Sequence, residues 1–118
     1  MKALLAFLFL GLLAVQAAPV AGIDRKLQTI IIPQVRFDDI SLPEAIEFLR
    51  QKAVALDPDK TGFNVVIHVP KDDPALQSKV TLSLSNVPVG VALDYTTRMA
   101  KLRFKVDAFA VVILPLAN

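Results

Sequence analysis

The chain of 118 residues has no cysteine, one histidine and four glycines. Without cysteine there is neither a disulfide framework nor a cysteine to carry a lipid anchor, so the fold must rest on burial alone. The single imidazole, His68, lies in an apolar stretch and lacks the companion ligands of a zinc site; a surface or hydrogen-bonded structural role is expected for it. Four scattered glycines make no phosphate-cradling loop, and none of Ser41, Ser78, Ser83 and Ser85 stands in a Gly-x-Ser-x-Gly elbow. An excess of one charge is also missing. Thirteen Lys and Arg face eleven Asp and Glu, and setting Lys2 aside with the leader described next leaves twelve cations against eleven anions. A nearly neutral chain has no field for steering nucleic acid.

What is there begins with a leader. Lys2 supplies a short positive end, Ala3 to Val15 is an unbroken apolar core, and Val15-Gln16-Ala17 places small or modest residues where a signal peptidase reads. Residues 1–17 are therefore read as a signal peptide cleaved between Ala17 and Ala18, giving a periplasmic or secreted protein. An uncleaved anchor is the alternative, because Ala3 to Ile23 is about long enough to span a bilayer; the compact core, Gln16 and Pro19 speak for cleavage. Membrane contact is expected only if the leader is kept.

The mature part carries a passage twice. Asp39-Ile40-Ser41-Leu42-Pro43-Glu44-Ala45-Ile46-Glu47-Phe48 is echoed by Asn86-Val87-Pro88-Val89-Gly90-Val91-Ala92-Leu93-Asp94-Tyr95. Both run acid or amide, branched apolar, any, apolar, any, any, Ala, aliphatic, acid, aromatic. A strand-like stretch precedes each, Val35-Arg36-Phe37 in one and Val80 to Leu84 in the other, so the unit is a strand turning into an amphipathic helix.

Along the chain, Ala18 to Lys26 has Pro, Gly and small residues without a period and reads as a flexible lead-in. Leu27 to Ile32 is a branched run suited to a strand, which Pro33 ends or confines to an edge. Ser41 and Glu44 form a capping box opening a helix whose inner stripe is Leu42, Ala45, Ile46, Leu49 and Ala53. A loop at Asp57 to Gly62 leads to a strand over Phe63 to Val69, and a polar connection over Pro70 to Gln77 leads to the alternating strand Val80 to Ser85. The second helix, about Val89 to Ala100, turns Val89, Ala92, Leu93, Thr96 and Ala100 inward; two strands follow, Leu102 to Val106 and Ala110 to Leu114. The fold class is α+β, with two helices packed with small sheets in the order β-α-β-β-α-β-β, in a single domain over residues 27–116. Neither half buries its apolar face alone, so the two must share one core.

The passages Val80-Thr81-Leu82-Ser83-Leu84-Ser85-Asn86-Val87-Pro88-Val89 with Ala92-Leu93-Asp94, then Leu102-Arg103-Phe104-Lys105-Val106-Asp107 and Ala110-Val111-Val112-Ile113, resemble the short N-terminal domain shared by bacterial secretins and TonB-dependent signalling receptors. Val35 to Arg50 followed by Gly62-Phe63-Asn64-Val65-Val66-Ile67 looks like the other half of that domain. The resemblance implies a periplasmic domain of two helices between two small sheets, acting as a docking module without chemistry of its own. In secretins such domains face inner-membrane components; in receptors they meet a regulatory protein. With no pore-forming or barrel segment after Asn118, neither exporter nor receptor activity is part of the expectation, and no functional residue is carried over.

Chemical constellations are few. Asp57, Asp59, Thr61 and Gly62 match the opening of a calcium loop, but its twelfth position, which should supply a bidentate Glu, is His68, and Pro58 interrupts it, so a plain turn is expected. Asp38, Asp39, Glu44 and Glu47 crowd a helix start, where the dipole favours them without any acid–base role. Arg98, Lys101, Arg103 and Lys105 form a late basic cluster, read as an interaction face for an acidic partner. No catalytic, cofactor or metal residues are expected. The reading is a non-enzymatic interaction module of the bacterial envelope with a protein partner there and no nucleic acid, working by strand addition or through its basic face. Two alternatives stay open: a small secreted hydrolase or metal-dependent protein using His68 and the Asp57 loop, and a relic of a larger secretin-like protein. Oligomeric state is not legible, since an edge strand pairs as readily with a copy of itself as with a stranger.

Overall fold

The computed structural model describes residues 19–116; the leader and its cleavage site lie outside them. Among the described residues are three α-helices and two small sheets. In chain order these are α1 (Pro19–Thr29), β1 (Ile31–Ser41), α2 (Leu42–Leu56), β2 (Asn64–Ile67), a 3-10 turn (Pro74–Gln77), β3 (Lys79–Pro88), α3 (Val89–Met99), β4 (Leu102–Val106) and β5 (Ala110–Pro115). β1 and β3 form an antiparallel ribbon. β5 is the centre of the other sheet, parallel to β2 on one side and antiparallel to β4 on the other. The class is α+β, as the sequence implied, with one helix more.

That helix, α1, corrects two expectations: the stretch expected as a lead-in at 18–26 is helical from Pro19, and Leu27 to Thr29 belong to the helix rather than to a strand. Pro19 in the first turn forfeits no helical hydrogen bond, and Ile23, Leu27 and Ile30 recur at helical spacing and are buried. What decides Leu27 is a neighbour far along the chain. A Cβ built on Gly90 in α3 would lie 2.9 Å from the Leu27 carbonyl oxygen and 3.0 Å from its Cβ, so glycine there lets α1 lie directly on α3. Close packing thus outweighs the strand preference of a short branched run.

α3 is the middle of the molecule, touching the ribbon on one side and β4 on the other, with α1 and α2 against it. One continuous apolar cluster joins Val35, Phe37 and Val80 of the ribbon, Leu42, Ile46 and Leu49 of α2, Val89, Ala92 and Leu93 of α3, and Val111 and Ile113 of β5. The two halves therefore share one core.

The repeat is also a structural repeat. Asp39 and Asn86, its first residues, both have left-handed backbone, φ 56 and 54. Asx side chains tolerate that region better than others, which is why an acid or amide stands at both places. At Asp39 the ladder slips, between Phe37 and Ile40. The helices that follow bury matching residues: Leu42 and Val89, Ala45 and Ala92, Ile46 and Leu93. Each also carries one surface ion pair from the repeated acid, Glu47 to Arg50 and Asp94 to Arg98. The α2 start has its full capping box: the Glu44 N–H donates to the Ser41 hydroxyl and the Ser41 N–H to the Glu44 carboxylate. Pro88 at the α3 start offers no side-chain cap.

Candidate functional site

Arg98, Lys101, Arg103 and Lys105 do not share one surface. Phe104 and Val106 pack on the core, so strand alternation turns Arg103 and Lys105 to the opposite, solvent side of the three-stranded sheet. There Arg103 donates from Nε to the Pro115 carbonyl at 3.2 Å. Arg98 lies on the exposed side of α3, hydrogen-bonded to Asp94, which holds its guanidinium above the ordinary value, and with its guanidinium carbon 5.5 Å from the Tyr95 ring centre. Lys101 occupies the turn between α3 and β4 with φ 60, its amide donating to the Arg98 carbonyl. Neither Lys101 nor Lys105 joins an ion pair among the described residues.

With Arg98 and Lys101 goes a feature that the sequence reading missed. Val91, Tyr95 and Met99, spaced four apart along α3, are 39, 46 and 46% exposed. Four-residue spacing stacks them on one helix face as an exposed apolar stripe beside the buried one. A groove opens at each end. Near Val91 one of about 280 Å³ is lined by Leu27, Pro88, Gly90 and Phe104. Near Met99 a larger one of about 630 Å³ is lined by Lys101, Leu102, Pro115 and Leu116, with Asp73 at its rim. Tyr, Met and Arg side by side is the residue mixture of protein interface centres, where flat or pliable apolar groups carry contact area and a guanidinium supplies directional bonds. The signal was present in the sequence as a second period-four row outside the inner stripe.

The Asp57 loop is a structural staple. Asp57 is 2% exposed, and its Oδ2 lies 2.8 Å from the Lys26 ammonium and accepts from the Gly62 N–H at 2.8 Å and the Thr61 hydroxyl at 3.2 Å, while Oδ1 accepts from the Asp59 N–H at 3.0 Å. Lys26 also donates to Thr61 Oγ1 and to the Gly62 carbonyl. The Lys26 hydrogen bond, helped by the Asp59 and Gly62 amides, holds the Asp57 carboxyl well below the usual carboxylate range in spite of burial. The Lys26 ammonium thus binds the Asp57 carboxylate, the Thr61 hydroxyl and the Gly62 carbonyl together, and the loop fastens α1 to the end of α2. His68 is exposed, its backbone N–H donating to the Ile113 carbonyl. Ser41 is spent on the helix cap.

Comparison with protein-family models, with curated proteins and with solved structures finds no match for this chain. Among the described residues no helix is long and apolar enough to cross a membrane.

Proposed function

We propose that the chain is a non-enzymatic protein-interaction module of the bacterial cell envelope, delivered there by cleavage between Ala17 and Ala18, and similar in role to the short N-terminal domain of secretins and TonB-dependent receptors. The observation that carries the reading is the open face of α3. Val91, Tyr95 and Met99 stand outward on a helix whose inner stripe is already buried, between two grooves. An apolar row left in water on a rigid central helix has no role in the core and suits a partner surface. Arg98 and Lys101 at its border select an acidic partner, raising encounter rate and register more than affinity. The α+β fold is of the kind such docking domains have, which supports the reading at the level of architecture.

The test is a photo-crosslinking residue at position 95 in the full chain expressed in an envelope-bearing bacterium, compared with the same residue at Gln51 on the polar side of α2. The expected result is a discrete envelope-protein adduct from position 95 that disappears with Lys101→Glu and is absent from position 51. Equal adducts from both positions, or none from position 95, contradict the reading.

A further inference from the structure

The sheet edges are not defended alike. β1 carries Pro33 and a register slip at Asp39; β3 ends in left-handed Asn86 and Pro88; β4 carries Arg103 and Lys105. Prolines, bulges and charges are the devices that keep strand edges from pairing with other chains. β2, Asn64-Val65-Val66-Ile67, has none of them. It is also exposed for an apolar strand, with Val66 at 47% and Ile67 at 37%.

Its backbone polarity is set by one bond. The His68 N–H donates to the Ile113 carbonyl at 2.8 Å, in register with the pairs Val66↔Val112 and Ile67↔Ile113. Backbone groups of alternate residues point to opposite sides of a strand, so those of Val66 and His68 face β5, and those of Val65 and Ile67 face out of the sheet. Two N–H groups and two carbonyls therefore stand along a neutral, apolar edge.

We infer that β2 pairs antiparallel with β2 of a second copy of this chain, about a twofold axis at Val66. A twofold contact has to be self-complementary, and this edge is. With the axis at Val66, Val65 lies opposite the partner's Ile67 and Ile67 opposite the partner's Val65, so all four outward backbone groups of each strand are satisfied. A slip of one residue sets outward groups against inward ones and loses them. No charge meets a like charge, because the strand has none. The joined six-stranded sheet then carries one row, exposed Lys105, buried Val112 and exposed Val66, continued across the axis in reverse order, and Val66 is covered by its own copy. Four residues a side bury far less than the roughly 1,600 Å² of a standard interface. The pair is accordingly weak and reversible, filling as concentration rises.

The absence of cysteine makes the test clean, because an introduced one is unique. The full chain with Val66→Cys, under mild oxidation, is expected to form a disulfide-linked dimer about tenfold faster than with Ser83→Cys, an exposed position on the ribbon, since paired strands hold opposed Cβ atoms about 4.5–5.5 Å apart. In sedimentation velocity the unmodified protein shows a concentration-dependent dimer. Val66→Lys and Val66→Glu each run as folded monomers, and an equal mixture of the two restores the dimer through an opposite-charge pair at the axis. A monomer at every concentration, equal crosslinking at positions 66 and 83, or a mixture that stays monomeric overturns the inference. An edge reserved for a strand from a different protein gives the first of these results.

Discussion

Phe48 in α2 and Tyr95 in α3 hold the same place in the two copies of the repeat, yet one is covered and the other is open. Phe48 is half-buried, edge-on to Phe37 with ring centres 5.3 Å apart, and Lys52 lies over its other side. Tyr95 is 46% exposed, with the Arg98 guanidinium over its ring. The neighbouring positions diverge in the same sense: Glu44 and Lys52 in the first copy correspond to Val91 and Met99 in the second. α2 shows water a charged face, and α3 shows it an apolar one.

The second copy is also the less stabilised. Ser41 caps α2, whereas Pro88 caps nothing. Leu49 packs fully in the core, whereas its counterpart Thr96 is buried with a hydroxyl that finds no hydrogen-bond partner among the described residues. Pro43 opens α2, whereas Gly90 in the same place gives up helix propensity so that α1 can dock. Such departures gather where a protein does its work. The first copy is the better capped and packed, and the second carries the exposed apolar row.

Four groups of substitutions bear on that contrast. The largest is shared: Ile46→Ala and Leu93→Ala each empty a corresponding site of the common core and each cost about 3 kcal/mol, read as large falls in urea midpoint. A change within about 0.5 kcal/mol at either position, as at a surface site, would place that residue outside the shared core. Next is the staple that holds α1 to the first copy. Lys26→Met leaves the buried Asp57 carboxylate to the loop amides and the Thr61 hydroxyl and costs about 2 kcal/mol. Because the folded Asp57 pKa is lowered, its contribution is fully present above the unfolded value of about 3.9 and is lost as pH falls through the folded value. Acid titration of the melting temperature therefore declines below about pH 4 in the parent, and Lys26→Met flattens that decline. Third, Thr96→Val removes the unpaired hydroxyl at nearly constant shape and raises stability by about 1 kcal/mol, whereas Leu49→Val in the first copy lowers it. The smallest is at the caps: Ser41→Ala costs about 1 kcal/mol, and Pro88→Ser gains about half of that by supplying the missing acceptor.

Much of this was legible because it is periodic. The inner stripe of α2, Leu42, Ala45, Ile46, Leu49 and Ala53, is the buried set residue for residue, and the capping box was spelled out by Ser41 and Glu44. The repeat itself told of two equivalent strand-to-helix turns, and its Asp39/Asn86 position had a backbone cause that could have been named from the residue types. The missed parts depend on contacts distant in sequence. Leu27 to Ile32 has strand composition, and only the notch at Gly90 makes Leu27 helical. Lys26 and Asp57 are both ordinary surface types until the fold brings them together. The Val91, Tyr95 and Met99 row was visible as spacing, but a helix with two apolar faces does not say which one the fold will cover. Arg103 and Lys105 belong with Arg98 and Lys101 by position and are parted by strand alternation.

The contrast itself is tested most directly by thermal unfolding of Phe48→Ala beside Tyr95→Ala. Removing a half-buried aromatic from its Phe37 contact is expected to cost about 2 kcal/mol and to lower the melting temperature by several degrees, while Tyr95→Ala leaves it within about a degree of the parent, as a surface substitution does. An equal loss from both would show that Tyr95 serves the fold, and would contradict the proposal that the open face of α3 meets a partner.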